Sequence, residues 1–421
     1  MALEKVGVRH AILDQGKDRI VDEDGRDPQI GCQVPISRRS MLRHSALAAA
    51  GAVVAGPLLA TNSAHARAAA PAPVAGADLQ PIDAIGGLLR AMDHYPLVAL
   101  GERHMLQEMH DMITALLFHP SLPGKINDIV VEFGNSAYQD LADRFILHGL
   151  PVAKTDLEQI WRQIGDPAWN APIYEQFFRS VRAVNWMQPP ARRIRVLLGQ
   201  PPVTMDQVVA HPTDRRLVAT FANTPDDYMA ALIGRDVLAK GRKALLIAGA
   251  GHTMRGIRQD TASLHGLSAA SQVLEGHPNV LFSIALYVLF PVPTAKTSDV
   301  NVKRKIESAL AERRRVAAKF AGWPRPALAH LAGTWLGEER SDLSYRAIPG
   351  ATRYQDQADA ILYLGPSEAM TASQPDQAIY HWGAYPEELS KAAGIAGEGD
   401  QLAIGRHWAQ LGPSWFGLYG M

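Results

Sequence analysis

The sequence predicts an α/β fold of three layers, a mainly parallel central sheet flanked by helices, followed by an irregular C-terminal extension. Three observations predict it. Short apolar runs of strand length recur at 97–101, 128–133, 193–199, 244–249 and 280–290. Stretches with apolar residues at three- and four-residue spacing separate them. Strand, helix, strand in succession forms a right-handed crossover, which makes neighbouring strands parallel.

Taken in order, residues 1–36 are polar and without periodicity, and read as a leader. Residues 37–66 read as a targeting segment outside the fold. Ser37-Arg38-Arg39-Ser40-Met41-Leu42 resembles a twin-arginine signal, an apolar run Ala46 to Ala60 follows, and Ala64-His65-Ala66 supplies small residues for cleavage. That run is shorter than the ~20 residues a membrane span needs. The expectation is therefore a periplasmic or secreted protein, cleaved after Ala66, with the twin-arginine export machinery as a partner and no permanent membrane anchor. Residues 67–80 read as a linker, 81–295 as the α/β core, and 296–421 as a C-terminal helix, strand and aromatic-rich extension packed on that core.

Charge is balanced, with 42 basic and 42 acidic residues, and there is no basic stripe, so the composition implies no nucleic-acid partner. The single cysteine, Cys32, precedes the signal. The mature chain thus has no disulfide, no cysteine nucleophile and no thiolate ligand.

Within the core, Asp83 to Tyr95 reads as the first helix, with Ile85, Leu88, Leu89 and Met92 on one face. It leads into Leu97-Val98-Ala99-Leu100-Gly101-Glu102-Arg103-His104, a buried strand whose end delivers a carboxylate and an imidazole. Glu102 and His104, two apart in extended chain, project to one side and Arg103 to the other. Leu106 to Leu117 is an amphipathic helix, on which His110 reads as a surface or boundary residue. The next strand ends on Val130-Val131-Glu132-Phe133-Gly134. Helices at 138–147 and 171–187 follow, the second rich in aromatics, Tyr174 among them, that read as core. The strand from Arg193 exits through Pro201-Pro202 towards Asp206, which reads as a solvated loop residue.

Pro225 to Lys240 is a helix carrying Arg235-Asp236. It precedes the strand that ends Gly249-Ala250-Gly251-His252. Val280 to Phe290 is apolar and rich in β-branched and aromatic residues, as a central strand is. After a charged helix over 303–320, Asp359 to Leu364 reads as a further strand. The tail, with Trp382, Tyr385, Trp408, Trp415, Phe416 and Tyr419, reads as an irregular wall or lid over the strand ends.

In open parallel sheets ligands sit outside the carboxyl ends of the strands, where residues distant in sequence converge. That predicts one site from Glu102, His104, Glu132 and His252. Two carboxylates and two imidazoles without sulfur suit a divalent metal such as zinc, manganese or iron. A metal-bound water, or a water activated by histidine and glutamate alone, suffices for ester or amide hydrolysis.

Gly-Glu-Arg-His at 101–104, Val-Val-Glu-Phe-Gly at 130–134 and Gly-Ala-Gly-His at 249–252, in this order, resemble the superfamily of erythromycin esterase, ChaN and Tiki proteins. The resemblance covers residues 80–290. From the esterases it implies His104 as general base oriented by Glu102 or Glu132, with His252 or Arg235 stabilising the oxyanion, since related sequences often carry an Arg-Asp pair in that helix. Esterases typically place two residues between the glutamate and the histidine, where this chain has one. Gly-Glu-X-His is nearer the ChaN branch, which implies haem or iron binding, with His104 and His252 as ligands and the 106–117 helix lining an apolar slot. The expected function is an exported hydrolase of an ester or amide of a small molecule or peptide, with a ChaN-like haem-binding protein as the alternative.

Overall fold

The computed structural model describes residues 76–223, 225–259, 266–288, 300–411 and 414. The leader, the signal segment, and Trp415, Phe416 and Tyr419 lie outside the described residues.

The sheet has eight strands: β1 (Ile82–Asp83), β2 (Leu97–Glu102), β3 (Asp128–Asn135), β4 (Arg195–Gln200), β5 (Ala244–Gly249), β6 (Leu281–Leu286), β7 (Ala327–His330) and β8 (Ala360–Tyr363). Their spatial order is β1-β7-β8-β6-β2-β5-β3-β4. From β8 to β4 the pairings are parallel, and β7 runs antiparallel to both its neighbours. The fold class expected from the sequence is the one observed.

β2, β3 and β5 are buried along their whole length because helices cover both faces of the sheet. Strand alternation divides their side chains between two cores. Val98, Leu100, Ile129, Val131, Leu245 and Ile247 enter the larger one, among the helices Gln107–Leu117 and Pro172–Trp186. Leu97, Ala99, Val130, Leu246 and Ala248 enter the other, against Met229, Ile233 and Val273. Each fully buried Val, Leu, Ile or Met among them contributes ~1.5–3 kcal/mol relative to exposure.

Three expectations require correction. The core does not end at 295, because β7 and β8 lie in the same sheet and β8 pairs with β6. The sequence reading missed β1 and β7, which are only two and four residues long. The extension is more regular than expected, with helices Tyr385–Ala396 and Gln401–Gln410. Both are short, and Gly394 and Gly405 interrupt their apolar stripes.

Candidate active site

The strand order decides the site. β5 lies between β2 and β3, and the register sets Glu102 opposite Gly249 while Val131 pairs with Ile247. The ends that carry Glu102, Glu132 and Gly249 are thus adjacent. Glu102 follows Val98 and Leu100 onto the larger-core face, whereas Glu132 follows Val130 onto the other. His104 lies just beyond the edge, between the two carboxylates.

On the first face Glu102 is fully buried. Its Oε1 accepts the Tyr174 hydroxyl at 2.6 Å, lies 3.3 Å from His110 Nε2 and 3.8 Å from His104 Nδ1. Its Oε2 is buried with no hydrogen-bond partner among the described residues. Burial works to raise the Glu102 pKa, but the nearby His104 imidazole and the hydrogen bond and charge of His110 hold it well below the usual carboxylate range. Burial and the Glu102 charge push the Tyr174 hydroxyl well above its ordinary value, so it stays a donor.

On the second face Glu132 Oε2 accepts the Gly249 N–H at 2.6 Å, and its Oε1 lies 3.1 Å from His252 Nε2. His252 Nδ1 lies 2.9 Å from Asp226 Oδ1, which also accepts the Ala269 N–H at 2.6 Å. An imidazole donates through both nitrogens only as the cation. Burial disfavours that cation, yet Glu132 and Asp226 raise the His252 pKa well above its ordinary value. Glu132 in turn is lowered against its burial, chiefly by the His252 charge.

The His104 side chain is 32% exposed and packs edge-on against Trp169, with ring centroids 4.5 Å apart. Desolvation lowers its pKa, but the nearby Glu102 carboxylate and the charges of Glu132 and Asp166 outweigh it and raise the value to about 9. At neutral pH His104 is an imidazolium. It acts as a base only in the small neutral fraction, about 1% at pH 7.

Gly249 eases this approach. A Cβ there would stand 3.1 Å from His104 Cε1 and 3.3 Å from Glu132 Oε2. Gly249→Ala is therefore expected to destabilise the chain by about 1–3 kcal/mol. An unchanged midpoint in denaturant unfolding would refute the crowding.

The structure brings Glu102, His104, Glu132 and His252 together and leaves Arg235 apart. Arg235 is 64% exposed and pairs with its neighbour Asp236. Asp206 is exposed in the first turn of its helix and accepts the Gln207 N–H. Both nitrogens of His252, expected as oxyanion donor or iron ligand, face carboxylates in this structure, Nε2 Glu132 and Nδ1 Asp226. The 106–117 helix buries its apolar residues in the core rather than lining a slot. Three contributors escaped the sequence reading: His110, which is buried rather than at a boundary, Tyr174 and Asp226. A tyrosine on an otherwise apolar stripe was the available signal, because a buried hydroxyl requires a partner.

Among the described residues no group of three or more His, Cys, Asp or Glu is arranged to hold a metal ion. The reason is visible in the donors. Both Glu132 oxygens, both His252 nitrogens and one Glu102 oxygen are committed within the protein, so the residues present do not fit the expected divalent metal.

No family model and no curated protein matches the chain. Among solved structures it is similar to a succinoglycan biosynthesis protein, at 11% identity and a TM-score of 0.44, over 69% of this chain and 94% of the other. It is similar to a mutant of erythromycin esterase EreC in its open conformation, at 12% identity and a TM-score of 0.40, over 66% and 92%. It is also similar to ChaN of Campylobacter jejuni with cofacially bound haem, at 14% identity and a TM-score of 0.29, over 51% and 87%. The last two belong to the superfamily that the motif order resembles. Likeness this distant carries no residue role.

Proposed function

We propose that the chain is a hydrolase of an ester or amide of a small molecule or peptide, working through histidine and glutamate. The observation that carries this reading is the partly exposed imidazole of His104 set between two buried carboxylates. Neutral His104 takes a proton from water as the water oxygen bonds to the substrate carbonyl carbon. The imidazolium then returns that proton to the leaving oxygen or nitrogen as its bond to carbon breaks. Glu102 orients the ring, with His110 and Tyr174 holding Glu102 in turn. Glu132, held by Gly249 and His252, adds negative charge that favours the imidazolium as it forms.

The test is turnover across a panel of ester and amide substrates, with His104→Ala as control and with EDTA dialysis. Turnover that survives EDTA and is lost in His104→Ala is the expected result. No turnover across the panel, together with a haem absorbance band that His104→Ala removes, would replace this reading with the haem-binding one.

Export is proposed from the order of arginine pair, apolar run and small-residue site at 37–66. Replacing Arg38 and Arg39 by lysine is expected to hold precursor in the cytoplasm. Cell fractionation showing the double variant outside the cytoplasm at wild-type level would refute it.

A further inference from the structure

Beside the second carboxylate lies a cavity of about 470 Å³ that opens to solvent. Its lining includes the carboxylates of Glu132, Asp166 and Glu398, the carboxamide of Gln200, and the rings of Trp169 and Phe221. The C-terminal extension supplies Glu398 and so walls the site. No lysine or arginine lines the cavity among the described residues.

Two features point to a ligand. The first is charge. Glu132 is answered by His252, while Asp166 and Glu398 add two carboxylates whose ionisation is made costly by burial first, then by Asp166 in the case of Glu398 and by Glu132 in the case of Asp166, which the His104 charge only partly offsets. An incoming cation removes this repulsion, whereas an anion would deepen it. The second is Gln200, at the end of β4. It is buried, it faces the cavity, and its carboxamide has no hydrogen-bond partner among the described residues. Its amide atoms are open to the cavity, so a polar ligand there bonds them directly. Trp169 and Phe221 offer apolar surface alongside, and aromatic faces also attract cations.

We propose that this cavity binds an organic cation, its ammonium group held by Asp166 and Glu398 and its apolar flank against Trp169 and Phe221. The proposal rests on the hydrolase reading only for its role as the substrate's binding pocket. It makes the preferred ester or amide one that carries an amine.

The test is calorimetric titration of the full chain with three probes of similar size: benzylamine, benzyl alcohol and benzoate. It is run at about pH 8, above the Glu398 value of about 7 and with benzylamine protonated. Benzylamine is expected to bind at least about tenfold more tightly than benzyl alcohol, with benzoate weakest. Asp166→Asn and Glu398→Gln should each shrink the ratio of amine to alcohol affinity, and the double variant should bring it close to one. Equal or weaker binding of the amine by the wild-type chain overturns the proposal, as does an unchanged ratio in the double variant. Binding is read without turnover. Charge preference without hydrolysis therefore sinks the hydrolase reading alone, and hydrolysis without charge preference sinks the cation site alone.

Discussion

Replacing His104 by alanine is expected to lower kcat/KM on an ester by about 100- to 10,000-fold, the usual worth of a positioned general base. The fold should stay in place, because the side chain lies beyond the end of β2 and is partly exposed. The wild-type profile carries a second, sharper signature. The folded-state value of about 9 lies above the ordinary 6.5, so the base form is scarce at neutral pH. Activity should therefore climb with pH, about tenfold per unit, and level off above about 9. The same shift has the opposite sign for stability. What the protonated ring contributes is fully present below pH 6.5 and is lost as pH rises through about 9. Most active and most stable conditions should thus diverge, and His104→Ala should flatten the alkaline loss of stability. A pH-rate profile that is flat or falling between 6.5 and 9 would exclude His104 as the base.

The largest effect on stability is expected from Glu102→Ala. Glu102 is a fully buried charge whose loss strands Tyr174, His110 and His104 at once. Removing one partner from a buried charged network costs about 3–5 kcal/mol. Its pKa is depressed in the folded chain, so this contribution is fully present above the ordinary value of 4.5 and fades as pH falls below it. Denaturant unfolding at pH 7 should show the full difference from wild type, and unfolding in acid a smaller one. A difference below about 1 kcal/mol at pH 7 would mean that the surrounding groups find other partners or water.

Much of this arrangement was legible in the sequence, and what was missed has physical reasons. Leu97 to Glu102, Asp128 to Glu132 and Ala244 to Gly249 announce themselves because a strand buried on both faces is continuously apolar and its polar end stands out. β7 gives no such signal, since four residues at an edge carry too little pattern. His110 lies one place from Met109 on its helix, where periodicity separates inside from outside least well. Only the turn at 103–106, which folds that helix back beside β2, brings it to Glu102. Asp226 was silent for a different reason. An acid in the first turn of a helix is ordinary there, and its pairing with His252 depends on two elements meeting in space. Arg235 misled in the reverse sense, because its conspicuous neighbour Asp236 satisfies it locally and leaves it on the surface.

The position of β5 between β2 and β3 has a consequence for how the molecule is born. Glu102 and Glu132 are made early, and their strands cannot sit side by side, because the place between them belongs to a strand made more than a hundred residues later. Until β5 inserts, both strands present open edges, and neither Gly249 nor His252 is at hand to hold Glu132. Pairings this distant along the chain close slowly. Recovery of activity after dilution from denaturant should accordingly follow the slowest phase that completes the sheet, with no partly active intermediate ahead of it.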